Sequence, residues 1–307
     1  MSKKQNRAGA RGSALLIVLW AIAIMSLTVL ATVQLMDLGL SESASQSKNF
    51  KALQLAESGL ALGLHPKLEK KDSHLKQDFG SGESFTVTLR SEGSRLNINT
   101  LLLNKDKLVL TSLCERWGVE DREISGLVDS LIDWVDEDEL KGLNGAEKDD
   151  YERMKLSGYP PNRPFKSLEE MELLPAMAPL IKAKPDWKDF FTVWGDGRLD
   201  LNEAPSDLIA AVCEVGTVAS ESFVERRLGP DGKVDTKDDF VYVDMNQART
   251  ALGINEALFK NIENRITIKS EFRRIISVGK IGTYERSLAV VVRLNSNPVQ
   301  YLTWIEY

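Results

Sequence analysis

The sequence predicts an α+β protein: one long amino-terminal helix on an antiparallel sheet, with a large all-α block in two parts inserted between the first strand and the later ones. Three observations carry this. Residues 14–31 form an uncharged, predominantly apolar run leading into helix-compatible sequence, and no proline occurs before Pro66. Apolar and β-branched residues alternate over 84–89, and then again only after residue 265. Between those regions apolar residues recur at three- and four-residue spacing, the period of a helix face.

The helix comes first. No side chain between Arg11 and Asp37 is charged. An 18-residue helix over Ala14 to Ala31 is ~27 Å long, close to the hydrocarbon thickness of a bilayer. Ahead of it lie Lys3, Lys4, Arg7 and Arg11, with no acid. The positive-inside rule keeps that end in the cytoplasm and sends the remainder across the membrane. One helix is expected over 13–64, its first half in lipid and its second half packed on a domain. Leu53, Ala56 and Leu60 lie on one face of that second half. The polar patch 41–48 fits a solvated turn of helix or a loose spot, and His65-Pro66 ends the helix.

Three readings of this start are open. A cleaved signal peptide would need a small-x-small site, for which Ala31-Thr32-Val33 is a poor match. An uncleaved signal anchor is the second. The third notes that Gly12 directly follows a short basic leader and, with Ser13, directly precedes the apolar run. This resembles the signal of type IV pilins and pseudopilins, which prepilin peptidase cuts after the glycine. Cleavage between Gly12 and Ser13 would leave residues 1–12 as a basic leader peptide, and the resemblance implies N-methylation of Ser13. Most pilin-like proteins carry Glu at the fifth mature position; here that position is Ile17. A buried Glu there would offset the terminal ammonium of a neighbouring subunit, because a lone charge in an apolar core is costly. A subunit with nothing ahead of it has no such amine to answer. An apolar residue is what the K-type minor pseudopilin of the type II secretion system usually shows.

The 307 residues leave room for one or two soluble domains behind the helix. The formal net charge is −6, and more negative without the leader, which argues against a general nucleic-acid binder. Cys114 and Cys213 have no CxxC spacing, and only His65 and His74 accompany them, so a zinc site is not expected. A disulfide and two buried thiols are equally open. No phosphate-binding or nucleophile-elbow motif occurs, so no enzymatic activity and no catalytic residue is expected.

Beyond the helix, residues 67–82 read as a polar linker and 84–89 as a strand. Residues 95–100 begin as a strand and end in a helix N-cap signal. Helical spacing follows in 105–117, 124–135 and 168–174, then in 205–215, 220–227, 245–252 and 256–262. Strands return over 265–269, 272–278, 286–294 and 299–307, and are expected to join 84–97 in one sheet. The expected division is therefore a β domain from 65–97 with 265–307, and a helical insertion over 98–264.

Two passages recur. Arg95-Leu-Asn-Ile-Asn-Thr100 is echoed by Arg198-Leu-Asp-Leu-Asn-Glu203, each followed by helical sequence, which suggests two similar subdomains. With the leader, the segment Lys51–Leu64, and the run from Asp133-Trp-Val-Asp136-Glu-Asp138 through Gly145-Ala-Glu147 to Pro164-Phe165, they resemble the general secretion pathway protein K family over most of the chain. The resemblance implies a pilin-like fold with a SAM-like, two-part insertion. It implies a minor pseudopilin of the type II secretion system, a tip subunit that helps initiate and cap the pseudopilus during protein export. Gly12 and Ser13 would be processed, and Ile17, Leu53, Ala56 and Leu60 would pack among partner helices. The implied partners are the other minor pseudopilins of I and J types, the major pseudopilin, prepilin peptidase and the inner membrane, with the carboxy-terminal domain in the periplasm. Nucleic acid is not among them.

Calcium in the insertion is also an implication of the resemblance. Two carboxylate clusters offer hard oxygen ligands: Asp136, Asp138 and Glu147, and Asp231, Asp235, Asp238 and Asp239. Neither has EF-hand spacing, and a solvated acidic surface is the alternative for both. Two further alternatives for the whole chain stay open: a signal-anchored periplasmic domain binding calcium or a partner, and a tip pilin of a type IV pilus or DNA-uptake pseudopilus.

Overall fold

The computed structural model describes residues 9–296 and 298–307. The leader cations Lys3, Lys4 and Arg7, and Asn297 of the last expected turn, lie outside the described residues. The first helix, α1 (Gly9–Gly63), runs without a break. The polar patch at 41–48 is therefore plain exposed helix. The sheet is five-stranded and antiparallel, in the order β1 (Lys76–Gly80), β2 (Glu83–Ser91), β7 (Phe272–Ile281), β8 (Tyr284–Arg293) and β9 (Gln300–Glu306). Strands β2 and β7 are spatial neighbours, although the whole helical block separates them in sequence.

The carboxy-terminal third of α1 crosses the face of β2, β7 and β8. Ala56 and Leu60 are buried there with Phe85, Val87, Leu89, Ile275, Leu288, Val290 and Val292. The approach is close because the contacting residues are small. A Cβ on Gly59 would lie 2.4 Å from Ser277 Oγ.

The helical block contains α2 (Ile98–Leu103), α3 (Lys107–Arg116), α4 (Asp121–Val135), α5 (Lys148–Arg153) and α6 (Ala178–Ala183) in its first half. The second half contains α7 (Ser206–Val212), α8 (Thr217–Leu228), α9 (Met245–Ala251) and α10 (Glu256–Ile262). It has its own core, centred on Trp134, Trp187, Tyr151 and Phe223 and the leucines around them.

Two expected strands do not join the main sheet. β3 (Leu96–Asn97) pairs in parallel with β4 (Phe191–Thr192), and β5 (Leu199–Asp200) with β6 (Ile266–Thr267). The recurring Arg-Leu passages are thus the opening strands of the two halves, and each half is closed by a strand ending in Thr. The last Asn of each passage makes the same clamp. Asn99 Nδ2 donates to Phe165 O at 2.9 Å and Asn99 Oδ1 accepts from Phe165 N–H at 2.8 Å. Asn202 does likewise with Tyr242, at 2.8 and 2.9 Å. Asn97 is also the N-cap of α2, its Oδ1 accepting from Thr100 N–H. The segment expected as a linker contains β1, which turns into β2 through Gly80, Ser81 and Gly82, all at positive φ. β1 is a mostly exposed edge strand, so it carries little apolar alternation to read.

Candidate functional site

Among the described residues one helix, from Ala14 onward, is long and apolar enough to cross a membrane. Its large side chains from Leu15 to Leu40 are exposed, Ile17 included, with no part of the chain covering them. The Gly12–Ser13 junction is helical backbone at the start of α1. The packing face of the second half has a different occupant from the one expected. Ala56 and Leu60 are covered by the chain's own sheet, and Leu53 is half-buried against the same core, so they are taken from any partner helix. Amphipathic spacing reports that a face is covered, not by what.

The carboxylates at the end of α4 form a buried acidic centre. Asp129 and Asp133 lie one turn apart on a face that is buried rather than solvated. Lys107 Nζ lies 2.7 Å from Asp129, which also accepts from Asn144 N–H. Gly142 N–H donates to Asp133 at 3.0 and 3.1 Å. Glu147, only 5% exposed, has no side-chain donor on either carboxylate oxygen and only the backbone at the start of α5 beside it; Asp136 has none on Oδ1, while Lys105 Nζ lies 3.7 Å from its other oxygen. An unanswered buried carboxylate is costly. Burial, with Asp133, Asp136 and Glu139 nearby, pushes Glu147 up to about 7. Burial also raises Asp133, reinforced by Asp136 and Asp129, and raises Asp136, reinforced by Asp138. Asp138 itself accepts from Leu140 N–H and faces outward. Asp133 is the member that sequence reading left out of the ligand set; its helical spacing to Asp129 and Asp136 was the available signal.

The donor set suits a hard cation: oxygens only, buried, with acceptors unpaired. No three acidic, His or Cys side chains among the described residues form a ready-made cage. Carbonyls or water would have to complete any shell.

The second cluster is arranged differently. Thr236 Oγ1 lies within 3.4 Å of Asp231 Oδ1, Lys233 O, Asp238 Oδ1 and Asp239 Oδ1. Arg90 of β2 pairs with Asp235, and Lys71 lies 3.3 Å from Asp239 and contacts Thr236 O. Every one of the four acids has a donor or cation partner, and through Arg90 and Lys71 the loop latches the insertion to the β domain.

Cys114 and Cys213 are free and buried, and burial pushes both thiols up to about 12.

A single exposed apolar helix that continues directly into the packing face of an antiparallel sheet defines a pilin-like subunit, here enlarged by a two-part helical insertion. The family model for type II secretion system protein K matches residues 94–184. A type II secretion system protein K of Pseudomonas aeruginosa is 27% identical over 267 residues, covering 76% of this chain and 77% of that protein. One from Klebsiella pneumoniae is 28% identical over 190 residues, covering 54% and 58%. A chain in the crystal structure of the GspK-GspI-GspJ complex from the type 2 secretion system of enterotoxigenic Escherichia coli superposes with a TM-score of 0.64 at 17% identity, covering 87% of this chain and 99% of that one. Over most of its length the chain is similar to type II secretion system protein K, and these likenesses support a minor pseudopilin of that system.

Proposed function

We propose that this minor pseudopilin is the tip subunit of the pseudopilus, acting through assembly rather than catalysis. The observation that carries the reading is the division of α1. Its last third is saturated by the chain's own sheet, while the apolar segment before it is bare and needs lipid or other helices around it. The solved relative is a GspK bound to GspI and GspJ, and we carry I- and J-type partners to this chain on that likeness, with the major pseudopilin below them. The helical block adds bulk beyond the sheet, which supports a position that no further subunit stacks upon. Ile17 in place of an acid fits a first subunit.

In this reading prepilin peptidase cuts between Gly12 and Ser13 and the new terminus is methylated. The chain spans the inner membrane once, amino terminus in the cytoplasm and folded part in the periplasm. Calcium would be held at the end of α4 by Asp136 and Glu147 with Asp133 adjoining, supplying positive charge beside Glu147 and Asp133, which no salt bridge among the described residues reaches. The test is the intact mass and amino-terminal sequence of membrane-purified protein, made with and without prepilin peptidase, followed by co-purification with I- and J-type subunits. A start at Ser13 and a recovered ternary complex are expected; a full-length chain in both preparations would overturn the maturation step.

A further inference from the structure

The chain enters the insertion at one place and leaves it beside that place. Ser91, the last residue of β2, and Arg273, at the start of β7, are partners in the ladder. The outgoing and returning segments therefore cross side by side, which is the geometry of a hinge.

The bodies on either side of this crossing do not share an apolar core. Trp134, Trp187 and Phe223 belong to one cluster, drawn wholly from residues 92–271 and reaching through both halves of the insertion. Ala56, Leu60, Val87, Ile275 and Val290 belong to another, drawn wholly from outside that range. The ion pairs that join the bodies all run one way. Lys70 pairs with Glu203, Lys71 with Asp239 at 3.3 Å, and Arg90 with Asp235. Arg274 Nε lies 4.0 Å from Glu92, and Arg293 Nη2 lies 2.8 Å from Glu271. In each crossing pair the cation stands on the pilin-like body and the acid on the insertion. The last two pairs sit at the crossing itself. The first three reach into the second half of the insertion, at Glu203 and the loop after α8. Their side chains are between 13% and 41% exposed, so dissolved salt screens them. Two units joined by charge and not by a large apolar interface are expected to move relative to one another.

We infer that the insertion is a hinged cap. It turns as one body about the crossing at Ser91 and Arg273, and the pairs of Lys70, Lys71 and Arg90 are the clasp that holds it on the pilin-like body. Opening leaves both apolar cores intact. The inference does not depend on the tip position.

The test uses detergent-solubilised full-length protein with nitroxide labels at Glu221→Cys in α8 and Glu285→Cys in β8, both exposed positions, read by double electron–electron resonance. The native thiols are buried and stay unlabelled. A single distance is expected at ~0.1 M salt, where the Debye length is ~10 Å, and a second, longer one at ~1 M, where it is ~3 Å. Arg90→Glu, which sets two acids face to face, should show the longer distance already at the lower salt. Adding Asp235→Arg reverses the pair and should restore the single distance. A second label pair, Asp121→Cys with Glu221→Cys, lies within the insertion and should keep one distance throughout. If the first pair is unmoved both by salt and by Arg90→Glu, the seam is rigid and there is no clasp. If the pair within the insertion shifts as well, the insertion loosens internally and does not turn as one body.

Discussion

Gly279 of β7 lies directly against the backbone of Ala52 in α1: a Cβ at Gly279 would sit 2.0 Å from the Ala52 carbonyl oxygen and 2.5 Å from the Ala56 nitrogen. The obstacle is helix backbone, which cannot step aside as a side-chain tip can. The apposition is what lets α1 settle on the sheet, so it links the assembly helix to the folded domain.

Gly279→Ala is therefore expected to destabilise the domain by ~1–3 kcal/mol, the usual cost of forcing extra volume into a packed core. Gly126 in α4 is the contrast: the nearest atom to a new Cβ is 3.6 Å away. Gly126→Ala removes a helix-interior glycine and should stabilise by up to ~1 kcal/mol. Denaturant midpoints of the two variants, measured side by side, decide; equal midpoints would sink the close-contact account.

Asn202 gives a second prediction. Besides clamping Tyr242, its Nδ2 donates to Ile268 O at 2.8 Å, tying α-block to the start of the returning sheet. Asn202→Ala strands a Tyr242 N–H beside buried surroundings and should cost ~1–3 kcal/mol. Asn202→Asp keeps the acceptor for that N–H but turns a carboxylate oxygen toward two carbonyls, and is expected to be worse than alanine. The order Asn, Ala, Asp in thermal midpoint is the readout.

The acidic centre makes stability depend on pH. The folded pKa of Glu147, about 7, lies above its ordinary 4.5. Between those values the folded state binds more protons than the unfolded chain, so metal-free stability is full below pH 4.5 and falls as pH rises through 7. The contribution at stake is at most ~3 kcal/mol. Glu147→Gln should flatten this slope. Calcium, on the reading proposed above, should flatten it in the parent and leave the variant unmoved; calorimetric unfolding at pH 5 and 8, with calcium and with chelator, tests both.

Much of this fold is legible in the sequence because its signals are long. The apolar run makes α1 plain, and alternation over 272–278 and 286–294 announces β7 and β8. The insertion's internal order is less legible. β3 and β6 are two-residue strands whose partners, Phe191–Thr192 and Leu199–Asp200, lie far along the chain, and no local pattern encodes such a pairing. The repeat of Arg-Leu-x-x-Asn was visible, but its purpose, a side-chain clamp on a distant backbone, was not. At the acidic centre, Asp133 reads as one more polar residue on a helix; only tertiary packing makes that face an interior one. The same limit applies to Ala56 and Leu60, where packing chose the chain's own sheet over a partner.

The cysteines supply the last prediction. In a periplasmic location a disulfide between Cys114 and Cys213 was open, but the structure places two separate buried thiols. A thiol held near 12 is essentially un-ionised at pH 8, and the thiolate is the reacting species. Burial also blocks the approach of reagent. Native protein treated with iodoacetamide at pH 8 should therefore gain no mass, and protein denatured first, without reductant, should gain two carbamidomethyl groups. Denatured protein that labels only after reduction would mean that the bridge forms in the cell, with α3 and α7 drawn together differently from the arrangement described. Labelling of the native protein at one site would instead report local opening of the helix that carries it.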